Sequence, residues 1–103
     1  MASSKEYLQF VIEQLSPLDI TARPKMSEYL LYLDGVYFGG VFDDRLLVKP
    51  TDSAKRFGME EQLPYDGAKP MFFVDAIDDK ELTKSIVVAV VEDLKKSPKK
   101  KKR

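Results

Sequence analysis

The sequence contains no histidine, no cysteine and no tryptophan. Without histidine there is no imidazole general base, no Ser–His or Cys–His nucleophile pair and no imidazole metal ligand. Without cysteine there are no disulfides, thiolate nucleophiles or thiolate metal sites, which fits the reducing cytoplasm. No run reaches the roughly 18–20 apolar residues that span a bilayer. The N-terminus, MASSKEYLQF, carries an acidic residue early and lacks a continuous apolar stretch, so it does not read as a signal peptide. The expectation is a cytoplasmic protein with no membrane attachment. Glycine is scarce, and its one doublet, Gly39-Gly40, lies inside an apolar run rather than before a helix, so no phosphate-cradling loop is present. Only carboxylate chemistry remains. Asp43-Asp44 and Asp78-Asp79 are adjacent pairs, but neighbouring side chains diverge on an extended backbone, and both pairs suit structural roles as a turn and a helix cap. The expectation is therefore a protein that is not an enzyme, with no cofactor and no metal.

A chain of 103 residues is one domain, large enough to bury a core. Its formal net charge of zero hides an asymmetry. Residues 1–94 hold 10 Lys and Arg against 17 Asp and Glu, whereas 95–103 hold 7 basic residues and no acid. A domain over 1–96 is expected to carry a disordered basic tail over 97–103, since KKKKR has nothing to bury. Lys99, Lys100, Lys101, Lys102 and Arg103 are candidate phosphate contacts, giving at best a weak, salt-sensitive and sequence-independent hold on nucleic acid. The acidic body argues against a globular nucleic-acid-binding face.

The densest signal is the stretch YLLYLDGVYFGGVFDDRLLVK, residues 29–49. Asp34-Gly35 between β-rich runs is a strong hairpin signal, because both central residues of a type I′ turn need positive φ. Asp43-Asp44 punctuates more weakly. A three-stranded antiparallel meander follows. Before it, Ser3 and Glu6 have capping-box spacing, and Leu8, Val11, Ile12 and Leu15 recur at helical spacing until Pro17, predicting a helix over 4–15. Residues 19–25 read as a loop or short edge piece. After the meander, Thr51 or Asp52 caps a short helix over 53–57 that Gly58 ends. Residues 60–70 read as a loop, and 71–74 as a further strand. Asp78 or Asp79 caps a last helix with a stripe of Leu82, Ile86, Val90 and Leu94. The β-branched run 86–91 makes a strand the competing reading. The order α-β-β-β-α-β-α predicts an α+β two-layer sandwich with helices on one face of an antiparallel sheet.

With two-residue turns at both punctuations, Leu33 opposes Val36, Leu31 opposes Phe38, Tyr29 opposes Gly40, Gly40 opposes Leu47 and Phe38 opposes Lys49. Alternation then predicts that Leu30, Tyr32, Tyr37, Val41, Leu46 and Val48 receive the helices. Tyr29, Leu31, Leu33, Val36, Phe38, Phe42 and Leu47 fall on the other face with Arg45 and Lys49. That second face is too apolar to stand in water, which makes Tyr29, Leu31, Phe38 and Phe42 a candidate partner face, with a homodimer the expected association. Gly39-Gly40 reads as a bulge, or as a space filled by side chains across the strand, in preference to a gap for a ligand. Arg45, Lys49, Tyr65 and Lys69 are a candidate polar site; strand-end charges that discourage edge pairing are the plainer reading of its lysine and arginine.

Met26-x-Glu28-Tyr29-x-x-Tyr32-x-x-Gly35, Phe38-Gly39-Gly40, Asp43-Asp44-Arg45-Leu46-x-x-Lys49 and Pro64-Tyr65-x-Gly67-Ala68-Lys69-Pro70 occur in this order. Together they resemble the N-terminal domain of the TfoX/Sxy family of bacterial competence regulators, over everything but the tail. The resemblance implies an α+β fold similar to secretion-chaperone sandwiches. It also implies a non-enzymatic, transcriptional co-regulatory role exerted through protein partners, notably a cyclic-AMP-dependent activator. Full-length members carry a second, helical domain where this sequence runs into lysines, and many have a Met-Phe-Gly-Gly segment where this one has Met26-Ser27-Glu28-Tyr29. The expected function is a stand-alone regulatory interaction module. The alternatives are a nucleic-acid accessory protein acting through the tail, or a small-molecule binder.

Overall fold

The computed structural model describes residues 4–26 and 28–96. In order these form α1 (Lys5–Gln14), β1 (Ile20–Lys25), β2 (Glu28–Leu33), β3 (Val36–Val41), β4 (Leu46–Val48), α2 (Asp52–Arg56), β5 (Glu60–Gln62), β6 (Met71–Phe73) and α3 (Lys80–Lys96). The strands make one six-stranded sheet in the order β1-β2-β3-β4-β6-β5, antiparallel throughout. The helices pack on one face of it, giving the expected α+β sandwich. The basic tail, and Ser3 of the expected capping box, lie outside the described residues.

Both aspartate turns form. Asp34 and Gly35 take φ of 54° and 76°. Asp43 and Asp44 take 54° and 55°, so the weaker signal makes a turn of the same left-handed kind. Two non-glycine residues at positive φ are strained, and side-chain bonds offset this. The Asp43 N–H donates to Glu28 Oε1 at 3.1 Å, and Asp44 Oδ1 accepts from the Ser4 N–H at 2.8 Å. Ser4 is itself the N-cap of α1, its hydroxyl accepting from the Tyr7 N–H at 3.1 Å, so the start of α1 is pinned to the β3–β4 turn. Further along the chain Asp79 caps α3, accepting from the Leu82 N–H at 3.1 Å.

β1 takes the edge alternative of the reading for 19–25, and β5 occupies a stretch that read as loop. β1 and β5 are the two edges of the sheet. Pro24 is tolerated in β1 because an edge strand need not donate every N–H, and Glu60-Glu61-Gln62 is extended because β6 pairs with it, not because its residues favour strands. In α3 the helix prevails over its β-branched run. Ile86, Val87, Val90 and Val91 are all buried, each contributing about 1.5–3 kcal/mol on burial, against propensity losses of about a few tenths per residue. The buried stripe is rotated from the expected one, with Leu82 37% exposed and Thr83 fully buried, its hydroxyl donating to the Ala76 carbonyl at 2.9 Å.

The register corrects the expected faces. β3 and β4 pair as anticipated, Gly40 opposite Leu47 and Val41 opposite Leu46. Between β2 and β3, however, Tyr32 pairs with Tyr37 and Leu31 with Gly39, leaving Phe38 as the extra residue of a bulge. Beyond it Tyr29 pairs with Val41, not with Gly40. One extra residue reverses the parity of everything on the far side. The helix-covered core therefore takes Leu31, Leu33, Phe38, Val41, Leu46 and Val48, with Tyr29 and Val36 packed against it. Leu30, Tyr32 and Tyr37, expected beneath the helices, leave that core. The glycine doublet makes the bulge possible. A Cβ on Gly39 would collide with the Leu47 carbonyl and with Val48 Cα at 2.8 Å, and one on Gly40 would meet the Tyr29 carbonyl and the Phe42 ring.

Candidate functional site

The face of the sheet away from the helices has its own small cluster, Phe42, Leu47 and Met71, with Leu30 and Phe73 packed against it. Beside it lies a cleft of about 980 Å³. From the sheet come Leu30, Tyr37, Phe42, Lys49 and Met71; from the segment 64–70 come Pro64, Tyr65, Ala68, Lys69 and Pro70; from the β1–β2 hairpin come Lys25 and Met26. Glu28 is its one carboxylate, and it receives the Asp43 N–H.

Each wall has a structural cause. The bulge turns Leu30 and Tyr37 outward, so a defect in pairing supplies part of the floor. Lys49 follows β4, and its backbone N–H still reaches the Phe38 carbonyl at 2.8 Å. This holds the side chain beside Tyr37, with the ammonium 4.4 Å from the ring centroid. That cation–π contact contributes about 0.5–1 kcal/mol at a partly exposed site. Burial pushes the Lys49 amine below its usual 10.5 and the Tyr37 hydroxyl above its usual 10.0, the neighbouring Tyr32 and Tyr65 adding to the latter. Among the described residues no carboxylate forms an ion pair with Lys49.

Arg45 builds the site without lining it. Its Nε donates to the Phe42 carbonyl of its own turn at 3.1 Å. Its Nη1 donates to Gln62 Oε1 at 2.8 Å and its Nη2 to the Leu63 carbonyl at 3.1 Å. The planar guanidinium thus ties the β3–β4 turn to the residues preceding Pro64 and Tyr65, and the Tyr65 ring comes within 6.5 Å of the Phe42 ring, centroid to centroid.

Of the expected polar site, then, Lys49, Tyr65 and Lys69 meet in one cleft and Arg45 braces it. The expected partner face does not exist as a face. Leu31 and Phe38 are fully buried beneath the helices, Tyr29 packs on that same core, and Phe42 alone lies on the open side. The parity reversal at Phe38-Gly39 separates them. Leu30, Tyr37, Lys25, Met26 and Met71 were missed. For Leu30 and Tyr37 the signal was present in the glycine doublet, whose reading as a bulge should have shifted the register. The tail residues Lys99 to Arg103 lie outside the described residues. Among those described, no cluster of acidic side chains is arranged to hold a metal, and no helix is long and apolar enough to cross a membrane.

No family model matches the chain, so the likeness to the competence regulators rests on the motifs quoted above. No solved structure matches it. The chain is similar to an uncharacterized 12.7 kDa protein in the trpE 5′ region of Spirochaeta aurantia, 35% identical over 80 residues that cover 75% of this chain and 70% of that protein.

Proposed function

Since this chain belongs to the family of the Spirochaeta aurantia protein, whose name assigns no activity, we propose from its own chemistry that it is a non-enzymatic binding module acting through the cleft on the open face of its sheet. The observation that carries this reading is the pairing of a concave, largely apolar cleft with a half-buried lysine at its floor that forms no ion pair among the described residues. Binding sites are typically apolar hollows with a few well-placed polar groups, and a surface kept only for solubility has no use for either. The absence of histidine and cysteine from the sequence leaves little chemistry for turnover. With the resemblance to competence regulators, occupancy of the cleft becomes the event that a regulatory partner reads.

An uncharged polarity-sensitive dye such as Nile red tests the site. The wild-type protein should give a saturable rise in dye emission. Ala68→Trp, which puts a bulky ring into the cleft from an exposed segment, should abolish that rise while circular dichroism stays unchanged. Absence of saturable binding to the wild type, or full binding by the folded variant, would sink the proposal.

A further inference from the structure

Charge distribution narrows what the cleft holds. The body of the protein is acidic, with 17 carboxylates to 10 cations over residues 1–94. The cleft inverts that ratio, since Lys25, Lys49 and Lys69 line it with Glu28 as the one acid, and that carboxylate is occupied by a backbone donor of the β3–β4 turn. Three of the ten cations of an acidic body therefore converge on a largely apolar hollow. Lys49 is the informative one. A lysine ordinarily keeps its ammonium in water; here the head group lies against the Tyr37 ring, half-buried, without an acidic partner among the described residues. Next to it the floor is aromatic and aliphatic, with Phe42, Tyr65, Leu30 and Met71.

Resting on the reading of this cleft as the binding site, we propose that its ligand class is the small amphipathic anion: an apolar ring system seated against Leu30, Phe42 and Met71, with an acidic head group at the Lys49 ammonium and within reach of the Lys25 and Lys69 side chains. The hollow is of a size that takes small molecules. Binding replaces the weak hold of the Tyr37 ring on Lys49 by a charge-assisted hydrogen bond, which is the stronger interaction. Lys25 and Lys69 are exposed and act at longer range, so their part is salt-sensitive.

Naphthaleneacetate and its neutral counterpart naphthaleneethanol test this directly. The protein has no tryptophan, so naphthalene emission can be followed once the tyrosine background is subtracted. The carboxylate should bind about tenfold more tightly than the alcohol, the scale of one hydrogen bond to a charged group. Lys49→Met should erase that difference. Lys69→Met should reduce it only partly, and less at high salt. Equal affinity for acid and alcohol, or an acid preference that survives Lys49→Met, overturns the assignment even where Nile red shows the cleft to be a site. Loss of dye binding as well would strike the underlying reading instead. A dimer in sedimentation that Ala68→Trp breaks, with neither naphthalene compound bound, also overturns it.

Discussion

The two faces of this sheet are built from the same strands and alternate along them, yet they are made for different ends. Neighbouring residues show it most directly. Phe38 points under the helices, is wholly excluded from water and belongs to a core of aliphatic side chains from α1, α2 and α3. Tyr37 points the other way, remains half-exposed, and shares its ring with a lysine and a second tyrosine, Tyr32, 5.6 Å away between centroids. Among the described residues the buried core on the covered face contains no charged side chain. The open face has an apolar floor and a cation held against it. One face supplies the dry core, and the other carries the cleft that we propose to be a binding site.

Truncation on the two faces should therefore have unequal effects. Phe38→Ala opens a cavity in the dry core and should lower stability by about 3–5 kcal/mol, read as a fall in the urea midpoint. Tyr37→Ala, one residue away, should cost less than half as much, because its ring is half in water already, but it should weaken dye and acid binding. Similar losses from the two would mean that the open face is structural too.

The division between faces is set by a single residue count. The turns at 34–35 and 43–44 were legible from the chain because their chemistry is local: Asp and Gly accept positive φ wherever they stand. The helix caps were legible to within one residue for the same reason, as Thr51 or Asp52 and as Asp78 or Asp79; Thr51 and Asp79 take the positions. Facing was not, because it depends on parity, and parity is changed by one bulged residue, which the glycine doublet suggests without fixing where the extra residue falls. Val41, Leu46 and Val48, on the far side of the bulge from β2, were placed correctly. Leu30, Leu31, Tyr32, Tyr37 and Phe38 were all inverted. Half of the cleft was visible for a related reason: Tyr65 and Lys69 stand in one short segment rich in turn residues, whereas Lys25 and Met26 reach the same hollow from a remote hairpin through the fold alone.

The bulge can be attacked at Gly39. A Cβ there meets backbone in β4, not a side chain that can swing aside, so Gly39→Ala must displace a strand. A cost of about 1–3 kcal/mol is expected, the range for overpacking, together with loss of Nile red binding, since Leu30 and Tyr37 depend on the bulge for their outward facing. A variant with unaltered stability and binding would show that the close approach of β3 and β4 is not what fixes the division.

Arg45 separates the faces in another way. Its guanidinium serves only the open side, joining the β3–β4 turn to Gln62 and Leu63. Arg45→Ala should cost about 1–2 kcal/mol, the order of a lost charged hydrogen bond at a partly exposed site. Its larger effect should be on binding, through the position of Tyr65. Hydrogen exchange checks this: faster exchange confined to the segment around 62–68, with α1 and α3 unchanged, is the expected pattern, and a uniform rise across the domain would assign Arg45 to the core instead.

The smallest expected effect bears most directly on the proposed role of the open face. Burial lowers the Lys49 amine below its usual 10.5, so the folded protein releases that proton before the unfolded chain does. Between the folded value and 10.5 the unfolded state binds more protons, and stability rises with pH across that window. Below the window the charged amine is a constant handicap. Tyr37 runs opposite: its hydroxyl is raised above 10.0, so the unfolded chain ionises first and stability falls as pH climbs past that value. Lys49→Met isolates the lysine from this opposing trend. Relative to the variant, the wild type should gain stability as pH approaches 10.5, measured by urea unfolding at stepped pH. A wild type that instead loses ground over that window would mean that the fold favours the cation, with Tyr37 a sufficient partner for it. The expected gain has the other meaning: the free protein holds Lys49 charged at a disadvantage, and an anion in the cleft is what would remove it.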